Sequence, residues 1–218
     1  MTAPEKSIKL VLIGNTEVGK TSILTRYFDG KFKENITSTL GIEFKTTNII
    51  NNNGCNLKMQ IWDTSGQAKF DSITQNYFRE ADGLIFVFDI TNRESFEKIP
   101  KYMEMSKINH KKFKKILIGN KIDLEHERII NNEDIDALKK KYNIKEYFEA
   151  SAVNGNNIDT IFKEIANLFN GEDDETSYES KESEEENNDK KLKEKLLPEV
   201  PTTDNTKGKS TCGSCCCF

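Results

Sequence analysis

The run Gly14-Asn15-Thr16-Glu17-Val18-Gly19-Lys20-Thr21 has the spacing GxxxxGK(S/T). A loop of this kind can wrap phosphates, because its glycines let backbone N–H groups turn inward and a following helix adds the positive end of its dipole. Lys20 would place a charge on the outer phosphates, and the Thr21 hydroxyl can ligate Mg2+. Gly14, Val18, Gly19, Lys20, Thr21 and Ser22 are the nucleotide-binding residues expected here. The run follows the apolar stretch Ile8 to Ile13 and opens a segment of helix period, which separates it from a chance glycine turn.

A phosphate loop does not choose between ATP and GTP. Asn120-Lys121-Ile122-Asp123, after another apolar run, has the form NKxD. The Asp123 carboxylate can accept from both the ring N–H and the exocyclic amine of guanine, a donor pair that adenine lacks. Lys121 would lay its aliphatic stem over the base, and Asn120 would tie this segment to the phosphate loop.

Positioning these residues takes strands and helices in alternation. Short apolar runs predict strands at Ile8 to Ile13, Glu43 to Ile50, Leu57 to Trp62, Leu84 to Asp89, Ile116 to Asn120 and Tyr147 to Ala150. Longer segments predict helices at Lys20 to Phe28, around Gln75 to Ala81, and at Ser95 to Asn109, Glu133 to Tyr142 and Asn157 to Asn170. Pro100 inside the third requires that helix to start or kink there. Asn51-Asn52-Asn53-Gly54 joins the second and third strands as a hairpin. The fold class is α/β: a mostly parallel six-stranded sheet with one antiparallel edge strand and helices on both faces.

Residues 1–170 carry 25 Lys+Arg and 23 Asp+Glu, and residues 171–218 carry 7 and 13, so the net charges are +2 and -6. Neither part has the charge of a nucleic-acid binder. From Gly171 to Asp189 the chain is acidic and nearly free of large apolar groups, and the expectation is a domain over 1–170 followed by a disordered tail over 171–218. No run reaches the roughly 18 apolar residues of a membrane span. Cys55 is alone in the body, whereas Cys212, Cys215, Cys216 and Cys217 crowd the end, no disulfide framework. The ending Cys215-Cys216-Cys217-Phe218 fits C-a-a-X with Phe last, which suggests a geranylgeranyl group on Cys215.

Over residues 7 to 170 the sequence resembles the Ras superfamily, and within it the Rab GTPases. Asp63-Thr64-Ser65-Gly66-Gln67 is similar to the family's DTAGQ, and Glu149-Ala150-Ser151-Ala152 to the segment carrying its SAK motif. Gly41-Ile42-Glu43-Phe44, Lys58-Met59-Gln60-Ile61-Trp62 and Tyr77-Phe78-Arg79-Glu80-Ala81 resemble Rab-specific stretches. The resemblance implies that Asp63 holds Mg2+ through water, that Thr39 ligates it when the γ-phosphate is present, and that the Gly66 amide meets that phosphate. Gln67 would orient the attacking water, with Lys20 its catalytic partner. Phe32 would pack edge-on against guanine, and Ser151 and Ala152 would approach the base. The metal set is thus Thr21, Thr39 and Asp63, and the ligands are GTP or GDP with Mg2+. The chain departs from the pattern at Ser65, Val153 and Ile36, where the family has alanine, lysine and tyrosine.

The resemblance further implies a GTP-hydrolysing switch in vesicle trafficking. It would recruit effectors through its switch segments and an exposed patch of Phe44, Trp62 and Phe78. Further expected partners are an exchange factor, a GTPase-activating protein (GAP) and a prenyl chaperone of GDI or escort type. The expected place is the cytoplasmic face of an intracellular or plasma membrane, cycling with the cytosol. It would be reached through a tail that, as a Rab-type CCXX ending, would carry prenyl groups on Cys215 and Cys216. Two competing functions share the phosphate loop. A metabolic kinase would need an acceptor pocket or lid, for which the motif spacing leaves no room, and would have no use for Asp123. A GTP-locked or hydrolysis-poor binding module of the same fold is suggested by Thr16, Ser65 and Ile36.

Overall fold

The way each strand distributes its apolar residues reports its place in the sheet. The computed structural model describes residues 6–34, 39, 41–67, 76–107 and 112–169. Its strands are β1 (Lys6–Ile13), β2 (Ile42–Ile50), β3 (Asn56–Thr64), β4 (Gly83–Asp89), β5 (Lys114–Asn120) and β6 (Glu146–Ala150), ordered β2-β3-β1-β4-β5-β6. Only β2 runs antiparallel, paired with β3 so that Phe44 faces Trp62. β4, Gly-Leu-Ile-Phe-Val-Phe-Asp, is buried throughout, as a strand covered on both faces must be. β2 alternates between half-buried and exposed residues, as an edge strand does.

The pleat divides the core in two. Leu10, Leu12, Met59, Ile61, Ile85 and Ile116 point to one face, where they meet helix α1 (Lys20–Asp29) and helix α5 (Ile158–Asn167) through Ile23, Ile161, Phe162 and Ile165. Val11, Ile13, Leu84, Phe86, Phe88 and Leu117 point to the other, under α2 (Arg93–Glu97), α3 (Ile99–Ser106) and α4 (Asn132–Tyr142). Fully burying each of these side chains contributes about 1.5–3 kcal/mol.

The single helix expected from Ser95 is two, and its expected end at Asn109 lies outside the described residues. Asn92 caps the first, accepting from the Ser95 amide at 3.0 Å, and Pro100 falls in the first turn of the second, where a missing N–H costs nothing. A short 3-10 segment, Ile122–Glu127, follows β5 and was not expected. The hairpin turn forms as expected: Asn51 Oδ1 accepts from the amides of Asn53 and Cys55, and Gly54 takes a positive φ of 75°. Residues 171–218, including Cys215 and Cys216, lie outside the described residues, as does Ile36.

Candidate nucleotide-binding site

The parallel strands end at one edge of the sheet, and the loops leaving β1, β3, β5 and β6 there line an open cleft of about 400 Å3. Twelve of the residues expected from the sequence line it: Gly19, Lys20, Thr21, Ser22, Phe32, Thr39, Gly66, Gln67, Asn120, Lys121, Asp123 and Ala152. Gly14, Val18, Asp63 and Ser151 stand just behind, each bonded to one of the twelve. A second hollow of about 540 Å3, between Arg26, Asp29 and Asp159, contains none of the expected residues.

At one end of the cleft the backbone and a buried cation converge. Gly19 precedes α1 with a φ of 92°, and a β-carbon there would sit 2.3 Å from Asn120 Nδ2. Glycine is therefore required twice over. The first turn of α1 has no capping side chain and no acidic residue, so its N–H groups and dipole favour an anion. Lys20 is buried and folds back over the loop, donating to the carbonyls of Gly14 at 2.9 Å and Asn15 at 2.8 Å. An ammonium has three donors, so one remains for a ligand. Burial pulls the Lys20 amine down to about 8, against the opposing charge of Asp63.

Beside it, three oxygen-bearing side chains from three separate segments meet. Thr21 Oγ1 lies 2.9 Å from Thr39 Oγ1 and donates to Asp63 Oδ2 at 2.5 Å, while Thr39 donates to the same oxygen at 3.3 Å. Burial pushes the Asp63 carboxyl up, opposed by the Thr21 hydroxyl and the Lys20 charge. Asp63 Oδ1 is buried without a hydrogen-bond partner, an arrangement that is costly unless a ligand completes it. Two hydroxyls and a carboxylate are hard oxygen donors, and they fit a magnesium ion that takes its other ligands from phosphate and water. Among the described residues no group of three or more His, Cys, Asp or Glu could hold a metal by itself.

The other end is built of ties. Asn120 Nδ2 donates to the Val18 carbonyl at 2.8 Å, locking the segment after β5 to the phosphate loop. Ser151 donates to Asp123 Oδ1, which leaves the second carboxylate oxygen for a ligand. Lys121 takes a φ of 72° and pairs with Asp89 at 2.6 Å. Arg26 of α1 donates to the carbonyls of Ala152, at 2.8 Å, and Val153. Neither Arg26 nor Asp89 is marked by the sequence, since partners as far apart as Arg26 and Ala152, 126 positions, leave no local pattern. Lys98, at the α2–α3 junction, reaches Asn15 Oδ1 at 3.2 Å and was likewise unmarked.

Gly66 lies so close to the phosphate loop that a β-carbon on it would meet the backbone of Asn15 and Thr16 at 2.3 Å. Gln67 follows, its amide donating to Ser65 Oγ at 3.4 Å. The expected aromatic patch needs correction. Phe44 is 57% exposed and stacks on Trp62 at 5.0 Å, but Phe78 is buried in the core under β1 and β4. The aromatic that continues the stack is the preceding residue, Tyr77, 5.3 Å from Trp62. Lys9 Nζ lies 5.3 Å over the Trp62 ring. The helical turn at 76–78 turns Tyr77 out and Phe78 in.

Comparison with known proteins agrees with this architecture. The Ras family model matches residues 9–170. The chain is 40% identical over 155 residues to Ras-related protein Rab-19 of Xenopus laevis, covering 71% of this chain and 72% of the relative. It is 39% identical over 159 residues to Ras-related protein Rab-13 of Bos taurus, covering 72% and 77%. To Ras-related protein Rab-26 of Rattus norvegicus it is 38% identical over 162 residues, covering 73% and 62%. Phosphate loop, guanine-type pocket, sheet order and relatives agree: the chain is a GTP-hydrolysing member of the Ras family, in its Rab branch.

Proposed function

We propose that the protein is a magnesium-dependent switch that binds effectors in its GTP state on a membrane surface and releases them after hydrolysis, so regulating vesicle traffic. The observation that carries this reading is the meeting of Thr21, Thr39 and Asp63, because it joins the phosphate loop, the segment before β2 and the end of β3 at one point. A ligand there can be felt by all three.

Asp123 accepts from the guanine edge, Lys121 and Phe32 cover the base, and Ser151 and Ala152 hold the opposite side. Lys20 donates its remaining N–H to the outer phosphates. Thr21, Thr39 and Asp63 would hold Mg2+, which supplies positive charge against the phosphates. Gln67 holds a water in line with the γ-phosphorus while the Gly66 amide donates to a γ-oxygen. The water oxygen bonds to phosphorus, the bond to the β-phosphate oxygen breaks, and GDP and phosphate leave. Among the described residues no arginine lines the cleft. For Ras itself, a relative, an arginine supplied by a GAP is worth about 10³–10⁵ in turnover. Hydrolysis here is accordingly GAP-dependent. Loss of the γ-phosphate frees Thr39 and Gly66 and loosens the effector surface.

That surface includes the Phe44–Trp62–Tyr77 stack. The segment 171–218 carries prenyl groups on Cys215 and Cys216. A single lipid gives marginal binding, and with a net charge of -6 the segment lacks the polybasic second signal. Two lipids are the remaining route. Intact mass of the protein from its native membranes tests this, since two prenyl additions are expected and an unmodified or singly modified tail contradicts it. Phosphate release with and without a catalytic Rab-type GAP tests the switch. A large stimulation is expected, and turnover that stays negligible with every such GAP favours the hydrolysis-poor module, toward which Ser65, buried against Gln67, points.

A further inference from the structure

Behind the base end of the cleft a ring of side chains closes. Glu125 lies two positions after Asp123 on the 3-10 segment, and Glu149 lies two positions before Ser151 at the end of β6. Arg128 joins them. Its Nε and Nη2 donate to Glu125 at 2.7 Å each, and its Nη1 and Nη2 donate to the two carboxylate oxygens of Glu149 at 3.0 and 2.9 Å. At the front, Ser151 closes the ring by donating to Asp123.

The two arms differ in strength. Glu125 has a side chain 63% exposed, so solvent screens its pair with Arg128 and leaves the glutamate itself unanchored. Arg128 and Glu149 are 18% and 29% exposed, and the Glu149 carboxylate also accepts from the Tyr147 hydroxyl at 2.6 Å. Burial and the Glu149 charge push that hydroxyl well above its ordinary value, so it stays a donor. Asn157 Nδ2 fixes the Glu149 carbonyl at 2.8 Å. Glu149 is thus held in place, and the planar fork of Arg128 transmits its position to the segment that carries Asp123. A lysine could keep the charge but not the fork.

We infer that Arg128, through its fork to Glu149, is a positioning residue for guanine discrimination, fixing Asp123 against Ser151 and Ala152 so that the 2-amino group of the base is read. This rests on the reading of Asp123 as the base-recognising carboxylate. Arg128 does not line the cleft, so it acts only through the segments it joins.

The test is the affinity of the full chain for GDP against inosine diphosphate, which differs from GDP only in lacking the 2-amino group. Arg128→Met keeps the stem and removes the fork; it is expected to lower the GDP-over-IDP ratio about tenfold by weakening GDP while IDP stays within about twofold, a partial loss of one charge-assisted bond. Arg128→Lys loses most of the same ratio. Glu149→Gln gives the same drop, and the Arg128→Met/Glu149→Gln pair gives no more than either alone, because the two act as one unit. A ratio that stays at the wild-type value overturns the inference, whether both affinities hold or both fall together. Should Arg128→Met not fold, Arg128→Lys decides by the same ratio. Asp123→Ala separates the two levels. If it leaves the ratio unchanged, the reading of Asp123 fails; if it collapses the ratio while Arg128→Met does not, only the role of Arg128 fails.

Discussion

The two ends of the cleft are built on opposite plans. At the base end hydrogen bonds tie separate segments together: Asn120 binds Val18, Ser151 binds Asp123, Arg26 binds Ala152 and Arg128 binds Glu149, while Asn120 Oδ1 and one Asp123 oxygen are left over. At the phosphate end such ties between segments are fewer and the charged groups await a ligand: Asp63 Oδ1 has no partner, Lys20 keeps a free donor and the first turn of α1 is uncapped. A region tied across several segments holds its shape whether or not ligand is bound, which suits it to recognising what stays constant between GTP and GDP. An unsatisfied region takes its final order from the ligand, which suits it to sensing the phosphate that differs. Discrimination and switching can then coexist in one cleft without disturbing each other.

The largest effect that would break this division is expected at Asp123. Asp123→Asn replaces an acceptor with a donor against the base, and the preference for GTP over XTP should fall by about 10³-fold or more, because a site built to hydrogen-bond a substrate group discriminates strongly. Competition binding of GTP and XTP measures it, and a wild-type ratio would remove Asp123 from the base end. Next in size is Gln67→Leu at the phosphate end. GAP-stimulated phosphate release should drop about 10²-fold, as for removal of one transition-state donor, while GTP affinity stays within about twofold. A parallel loss of affinity would show that Gln67 belongs to binding rather than turnover.

How much of this was legible in the sequence follows the range of each interaction. The strand centres and the phosphate loop were readable because apolar runs and fixed glycine spacing are local signals. The strand ends were missed where the flanking residues are polar, as at Lys6, Lys114 and Glu146. The 3-10 segment Ile122–Glu127 has no period to betray it. The family resemblance places Phe78 on the surface, but neighbours on a helical turn differ by about 100° in direction, and here it is Phe78 that joins the buried cluster of Val11 and Phe86. The ties of Arg26 and Arg128 depend on partners brought together by the fold, which a linear reading cannot supply.

Arg26→Met sharpens the comparison at moderate size. It frees the Ala152 and Val153 carbonyls and should speed release of GDP and GTP alike by about tenfold, the loss of one or two hydrogen bonds from a charged donor. A change confined to GTP would place Arg26 with the sensor instead. The smallest effect is expected for Ser65→Ala. Its hydroxyl reaches the Gln67 amide only at 3.4 Å, so GAP-stimulated turnover should change by less than about fivefold, or 1 kcal/mol. A large gain in rate would show that Ser65 restrains hydrolysis, as the hydrolysis-poor reading requires.

The division between a fixed base end and a ligand-completed phosphate end is tested most directly by amide hydrogen exchange on the full chain, loaded with Mg2+ and either GDP or a non-hydrolysable GTP analogue. Protection at Thr39 and Gly66 should rise in the GTP-analogue state, while protection over Asn120–Asp123 and Ser151–Ala152 should be the same in both. Equal protection at Thr39 and Gly66 in the two states, or a change at the base end as large as theirs, would contradict the account.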